Sequence, residues 1–273
     1  MLLPALLGLV CVILLALVLI PALKKGPTAE PANPEALEAG RAFLEEMDSK
    51  DPAKVDEVLK QRRAEKLAKE REALLQKLYN GEVDVWSMFE DYVLLGDSRA
   101  VGFYYYDFLD KSRVLADGGN TIRNVADHMD EIIALNPSYI YLCYGLNDVS
   151  IGYWTTKEPY AQEMLQVVRG LQEKLPDALV VVSSILPARD PAFQRASKWR
   201  EIPDYSAAVE AMCKENGIVF VNNDQISAEH ADLWGPDGIH LQPAFYNYWG
   251  SNLIAATLQA QNPADTETEV ENP

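Results

Sequence analysis

The sequence predicts an α/β fold: a three-layer α/β/α sandwich on a five-stranded parallel sheet, preceded by a transmembrane helix and a helical stalk. Three observations predict it. From about residue 88 to 262, short β-branched or aromatic runs alternate with stretches of helical period. The runs are apolar on both faces, as strands covered by helices on both sides must be. Ahead of them, residues 2–23 carry no charge, and a strongly charged region follows.

Residues 2–23 are long enough to cross about 30 Å of hydrocarbon as a helix. A secretory signal peptide would normally carry a basic start, and Ile20-Pro21-Ala22 is a poor cleavage pattern, so an uncleaved anchor is expected. Lys24 and Lys25 follow the span with nothing basic before it, which taken literally keeps the remaining chain in the cytoplasm. Residues 24–36 are rich in Pro, Ala and Gly and read as a semi-rigid linker. Two polar helices are expected next, near Pro34–Met47 and from the Asp51-Pro52 cap to about Tyr79. On the second, Leu67, Leu74, Leu75 and Leu78 make a stripe that a neighbouring domain could bury.

Strands are expected at Tyr92–Leu95, Val114–Ala116, Tyr139–Tyr144, Leu179–Ser183 and Ile218–Asn222. Between them, Thr121–Leu135 reads as an amphipathic helix, with Ile122, Val125, Ala126, Met129, Ile132 and Ile133 on its apolar face. Further helices are expected at Tyr160–Leu175, at Tyr205–Asn216 (stopped by Gly217) and at Phe245–Ala260. The resulting division is an anchor (1–23), a linker and stalk (24–87), a catalytic-type α/β domain (88–262) and a disordered acidic tail (263–273).

Charge narrows the partners. Residues 24–80 hold 12 basic and 12 acidic residues, so the net charge of −17 belongs entirely to residues 81–273. A domain that acidic repels phosphate backbones, which argues against nucleic acid. Cys11 sits in the apolar N-terminus, Cys143 in a strand-like run and Cys213 in a helix-like one; the last two read as small buried hydrophobes, and no Cys or His pattern suggests a metal or another cofactor.

Ligands of parallel sheets bind at the carboxyl ends of strands, and four unusual blocks fall there. Gly96-Asp97-Ser98-Arg99 follows the first strand and puts a hydroxyl where a helix begins, either as a nucleophile or as a cap. Asp117-Gly118-Gly119-Asn120-Thr121 follows the second, with glycines that leave a backbone N–H unobstructed or simply make a loop. Gly145-Leu146-Asn147-Asp148 follows the third; Asn147 either donates into the cleft or forms a turn. Asp237-Gly238-Ile239-His240 follows the fifth, and its three-residue spacing lets a carboxylate fix the imidazole tautomer and leave Nε2 free to take a proton. Of the other histidines, His128 sits on a helix and His230 is the rival base. Together the blocks supply a nucleophile, a base and three oxyanion donors: the Ser98 N–H, the Gly119 N–H and the Asn147 amide.

In order and combination these blocks resemble those of the SGNH, or GDSL-type, serine hydrolase superfamily, over residues 91–260. The resemblance, to a membrane-anchored bacterial type, implies a flavodoxin-like SGNH fold. It implies Ser98 as nucleophile, Asp237 and His240 as its triad partners, and Gly119 and Asn147 completing the oxyanion hole with Ser98. Gly118 adjoins Gly119 and could replace it; the Asn-Thr pair that follows favours Gly119. Arg99 stands where the family has leucine, and either reaches an anionic substrate or, as expected here, pairs with a nearby acid. The Gly-x-Ser-x-Gly elbow of the general α/β-hydrolases is absent. The expected activity is hydrolysis of a carboxylic ester, on an acylated glycan or a lipid, through an acyl-enzyme and without a cofactor. A glycan O-acyltransferase and a non-catalytic binding module are the alternatives. The aromatics Tyr104, Tyr105, Tyr106, Tyr153, Trp154 and Trp234 are read either as pocket lining or as core. The resemblance favours an extracytoplasmic catalytic domain, against the literal reading of the two lysines.

Overall fold

The structure, a computed structural model, describes residues 34–48 and 52–261. The expected transmembrane segment at 2–23, Cys11, the linker to residue 33, the Asp51 cap and the acidic tail at 263–273 lie outside the described residues. Among the described residues, no helix is long and apolar enough to cross a membrane.

The chain divides into two compact units, 1–63 and 64–273. The first contains helix α1 (Pro34–Asp48) and the start of helix α2 (Pro52–Tyr79). Leu37, Phe43, Val58 and Leu59 are exposed there.

In the second unit five strands form one parallel sheet: β1 (Tyr92–Gly96), β2 (Val114–Ala116), β3 (Tyr139–Cys143), β4 (Leu179–Ser183) and β5 (Val219–Val221). Their order is β2-β1-β3-β4-β5, with every neighbour pair parallel. The sheet reverses its winding between β1 and β3, and a crevice at the carboxyl ends is expected at that switch. Those ends are level, since Gly96 pairs with Cys143 and with Ala116.

Alternate residues of each strand serve two cores. Val93, Leu95, Ile140, Leu142, Val180 and Val182 face one, while Leu94, Tyr141, Cys143 and Val181 face the other. The first core is closed by α4 (Met129–Leu135), α5 (Leu146–Ile151), α6 (Lys157–Lys174) and α7 (Ile202–Glu215). On α6 the buried Tyr160, Met164, Val168 and Leu171 follow the helical period, and on α7 Tyr205, Val209 and Met212 do the same. Past α7 the Ile218 N–H reaches back to the Cys213 carbonyl (2.9 Å), so Gly217 ends that helix as the sequence indicates. The second core is closed by α3 (Gly102–Tyr105), α8 (Asp224–Glu229), α9 (Pro243–Ala260) and the last turns of α2. Both described cysteines are buried, with burial pushing the Cys213 thiol up to about 12 and Cys143 higher still.

Two expectations need correction. The stripe on α2 starts later than expected: Leu75 and Leu78 are buried, but Leu67 is 59% exposed. The expected helix over Thr121–Leu135 is α-helical only from Met129; Ile122–His128 winds as a 3-10 helix. With three residues per turn, Ile122 and Val125 share one buried face, whereas Ala126 and Ile133, which an unbroken α-helix would have buried, are exposed. Side chains drive this tightening. Thr121 and Asn124 form a reciprocal capping box, and the Ile122 N–H goes to the distant Asp148 carboxylate.

Helices α3 and α9 meet with no room to spare. A Cβ on Gly102 would overlap the Tyr246 phenol, whose hydroxyl donates to the Arg99 carbonyl at 2.7 Å. Gly102→Ala is therefore expected to destabilise the domain by about 1–3 kcal/mol in urea unfolding. An unchanged midpoint would show that this contact yields freely.

Candidate active site

The chain leaves β1 through a tight turn in which the Asp97 carbonyl accepts from Ala100 N–H (2.9 Å) and Val101 N–H (3.3 Å). Ser98 lies on that turn and is half-buried, while Asp97 and Arg99 on either side are buried. This turn, rather than a full helix, follows the strand, and α3 begins only at Gly102. It holds the Ser98 hydroxyl out and turns its neighbours in.

His240 arrives from the loop between α8 and α9. That loop is closed by a single antiparallel bridge, Trp234 to Leu241, and by the Gly235 N–H donating to the His240 carbonyl at 2.7 Å. Inside it the Asp237 side chain meets both atoms it must orient. Oδ1 accepts the Ile239 and His240 backbone N–H groups, each at 3.0 Å, and Oδ2 lies 2.6 Å from His240 Nδ1. A carboxylate only accepts, so Nδ1 carries the proton and Nε2 is left as an acceptor. His240 Nε2 is 3.3 Å from Ser98 Oγ. Residues 142 positions apart in sequence thus form one hydrogen-bonded line.

Burial works to raise the Asp237 carboxyl, but the Ile239 N–H, the His240 ring and the His240 N–H outweigh it and bring it down to about 2. The rival histidines are placed elsewhere: His230 stacks on Tyr248 at 3.6 Å, and His128 lies 3.4 Å from Glu131.

The remaining two blocks meet each other. Asn147 Nδ2 donates to the Asn120 carbonyl at 2.9 Å, joining the start of α5 to the turn after β2. In that turn the Gly118 N–H is held by Asp117 Oδ1 (2.7 Å), whereas among the described residues neither the Gly119 nor the Ser98 N–H has a hydrogen-bond partner. The Gly119 N–H is thus the free one of the two, although Gly118 is the glycine that lines the cavity at Ser98.

Two buried carboxylates were quoted in the sequence blocks without a role. Asp97 Oδ1 accepts the Arg99 N–H (3.0 Å), and Oδ2 accepts the Leu146 N–H (3.3 Å) and the Arg99 guanidinium (3.3 Å). Arg99 also donates to the Leu186 carbonyl at 2.6 Å, so it pairs inward and does not face the cleft. Asp148 accepts the Ile122 N–H at 2.9 Å. For Asp97 the available signal was an acid directly after an apolar strand, where burial demands a partner; Asp148, inside α5, had only the apolar Leu146 and Val149 around it.

A cavity of 330 Å³ opens at Ser98 and His240 and is lined by Tyr105, Tyr106, Gly118 and Leu241. Larger cavities, of 570 and 590 Å³ along Tyr79, Tyr248 and Asn252 and of 360 Å³ beside Leu75, include neither Ser98 nor His240. The 330 Å³ cavity is the one that Ser98 and His240 share. Of the other aromatics, Trp234 packs on Phe245 and Trp154 donates to Glu163 at 2.7 Å, both as buried residues. Tyr153 lies under the Arg123 guanidinium and Tyr104 under Lys111.

A model of the GDSL-like Lipase/Acylhydrolase family matches residues 94–248. The fold is shared with a GDSL-like lipase from Bacteroides thetaiotaomicron, at 20% identity and a TM-score of 0.51, over 62% of this chain and 88% of that one. It is shared with the lipase/acylhydrolase from Enterococcus faecalis, at 12% identity and a TM-score of 0.51, over 62% and 96% respectively. A search of curated proteins finds no match.

The depressed Asp237 value has a consequence for stability. A carboxyl whose folded value lies below its ordinary 3.8 stabilises the fold above that pH and loses the contribution as pH falls towards about 2. Relative to Asp237→Asn, the wild-type chain is expected to hold its advantage in unfolding midpoint from neutral pH down to about 4 and to lose it below. A difference that does not vary with pH would contradict the hydrogen-bond account of this loop.

Proposed function

Because this chain belongs to the GDSL-like lipase/acylhydrolase family and is a carboxylic ester hydrolase, we propose that it cleaves its substrate through Ser98, His240 and Asp237 by way of an acyl-enzyme. The observation that carries this reading is His240 bridging Asp237 and Ser98, at 2.6 Å on one ring nitrogen and 3.3 Å on the other. A contact of 3.3 Å is long for a hydrogen bond, as such contacts often are before substrate is bound.

In the proposed reaction Ser98 Oγ attacks the ester carbonyl carbon while its proton passes to His240 Nε2. Asp237 stays ionised and stabilises the imidazolium that forms. The carbonyl oxygen, now negative, takes hydrogen bonds from the Ser98 and Gly119 N–H groups and from the second N–H of the Asn147 amide. Collapse of this intermediate expels the alcohol, which leaves with the proton from Nε2. Water then attacks the acyl-enzyme with His240 again as base, and Ser98 is regenerated.

On substrate, the 330 Å³ cavity is open and has phenol rings on one wall. That supports a short acyl group, such as acetyl, on a sugar-like alcohol, better than a long acyl chain that would need a deep apolar channel. The acyl-enzyme step and the substrate class are tested together on p-nitrophenyl esters of increasing chain length. Acetate is expected to be turned over fastest. Ser98→Ala is expected to lower kcat by at least about 10³-fold, and Asn147→Ala by about 10²–10³-fold. Undiminished turnover by Ser98→Ala would remove the proposal.

A further inference from the structure

Asp148 is buried, at 0% exposure, and is a neighbour in sequence of the amide donor Asn147. Its Oδ1 accepts the Ile122 N–H at 2.9 Å, and its Oδ2 has no hydrogen-bond partner among the described residues. Two buried hydroxyls close to it, Tyr144 from the end of β3 and Tyr160 from α6, also lack partners there. An apolar residue would fill such a place at lower cost, because a buried polar atom left unpaired costs about 1–3 kcal/mol. A carboxyl is nevertheless present, and beside the N–H groups of its own segment it grips the residue that follows the Gly119–Thr121 turn.

From this geometry we infer that Asp148 is a positioning residue: by holding the Ile122 N–H against the start of α5, it sets the Gly119 N–H and the Asn147 amide at a fixed separation. Two links join these segments, Asn147 to Asn120 and Asp148 to Ile122, and together they leave the turn little freedom to slide. The inference rests on the proposed roles of Gly119 and Asn147 as oxyanion donors.

The same residue makes the grip sensitive to pH. Burial pushes the Asp148 carboxyl up; the Ile122 bond draws it back, the Asp97 charge adds to the rise, the Asp148 and Gly145 N–H groups lower it again, and the result is about 7. The groups that face it are Asp97 at the end of β1, Tyr144, Tyr160 and Arg123 on the 3-10 turn; Arg99 and Asp127 act on the same tyrosines. Once ionised, Asp148 accepts from Ile122 through a charge-assisted bond, roughly twice as strong as the neutral one. The turn is therefore held more tightly above neutrality. Stability runs the opposite way. With a folded value above the ordinary 3.8, the protonated form is preferred, and stability is lost as pH rises from about 4 to about 7.

The test uses the full chain with Asp148→Asn, which keeps an acceptor for Ile122 but no titrating group, and Asp148→Ala, which removes the acceptor. The first readout does not depend on turnover: the Ile122 amide resonance is expected to titrate near pH 7 in the wild type and to be flat in D148N. The second is the acid limb of log kcat/KM on p-nitrophenyl acetate, expected to be steeper near pH 7 in the wild type than in D148N, because the neutral acid holds Ile122 more weakly than the carboxylate. D148A is expected to lose about 100-fold in kcat with little change in KM, and D148N to restore most of it at every pH. Unfolding midpoints should favour D148N increasingly as pH rises. A flat Ile122 resonance in the wild type overturns the inference, as do identical slopes or equal losses in both variants at every pH. If D148A does not fold, the amide titration and the D148N slope decide alone. Ile122 titration without Ser98-dependent turnover would mean that the positioning holds and the functional reading fails.

Discussion

The site depends on the buried carboxylate of Asp97. Placed at the end of β1, it takes the Arg99 backbone and side chain on one side and the Leu146 N–H on the other. It therefore ties together the two strand ends between which the sheet reverses its winding. A charge this deeply buried is tolerable only when paired and hydrogen-bonded, and Arg99 meets that need while reaching across to the Leu186 carbonyl after β4. Removing one partner of such a pair typically costs about 3–5 kcal/mol because the other charge is stranded. The turn carrying Ser98 is as rigid as this pair makes it.

Around that anchor, Ser98, His240 and the proposed oxyanion donors sit on short segments held by few but strong bonds. The His240 loop is stapled by Asp237, which spends both oxygens within its own loop, and by the Trp234–Leu241 bridge at the loop's mouth. The turn after β2 has a lighter internal staple, Asp117, whose Oδ1 accepts the Gly118 N–H. It is held from α5, through Asn147 and Asp148. Rigid backbone near the serine and a turn held from a neighbouring helix are compatible with a site whose donors must be in place before charge develops on the substrate.

Most of the scaffold was legible in the sequence, because five apolar runs with helices between them admit few arrangements other than a covered parallel sheet. The strand positions agree to within a residue or two at each end; three of the four blocks fall at strand ends, and the fourth, Asp237–His240, lies past α8 in the loop before α9. What could not be read was decided by contacts distant in sequence. The 3-10 winding of Ile122–His128 follows from a bond to Asp148, 26 residues away. The inward pairing of Arg99 was expected, but its second partner, Leu186, lies 87 residues on and has no sequence signature. Leu67 fitted the helical stripe and is exposed even so, since period alone does not say where the neighbouring surface begins. Ser98, His240 and Asp237 were identifiable as types in a pattern; the 3.3 Å approach of the first two is a property of the fold.

The central claim is that His240 makes the Ser98 hydroxyl reactive. Its most direct test is covalent labelling with a fluorophosphonate, followed by mass spectrometry of the proteolysed chain. The account predicts a single adduct, on the peptide containing Ser98, whose formation is lost in His240→Ala. Labelling at another serine, or labelling of Ser98 at an undiminished rate once His240 is gone, would contradict it.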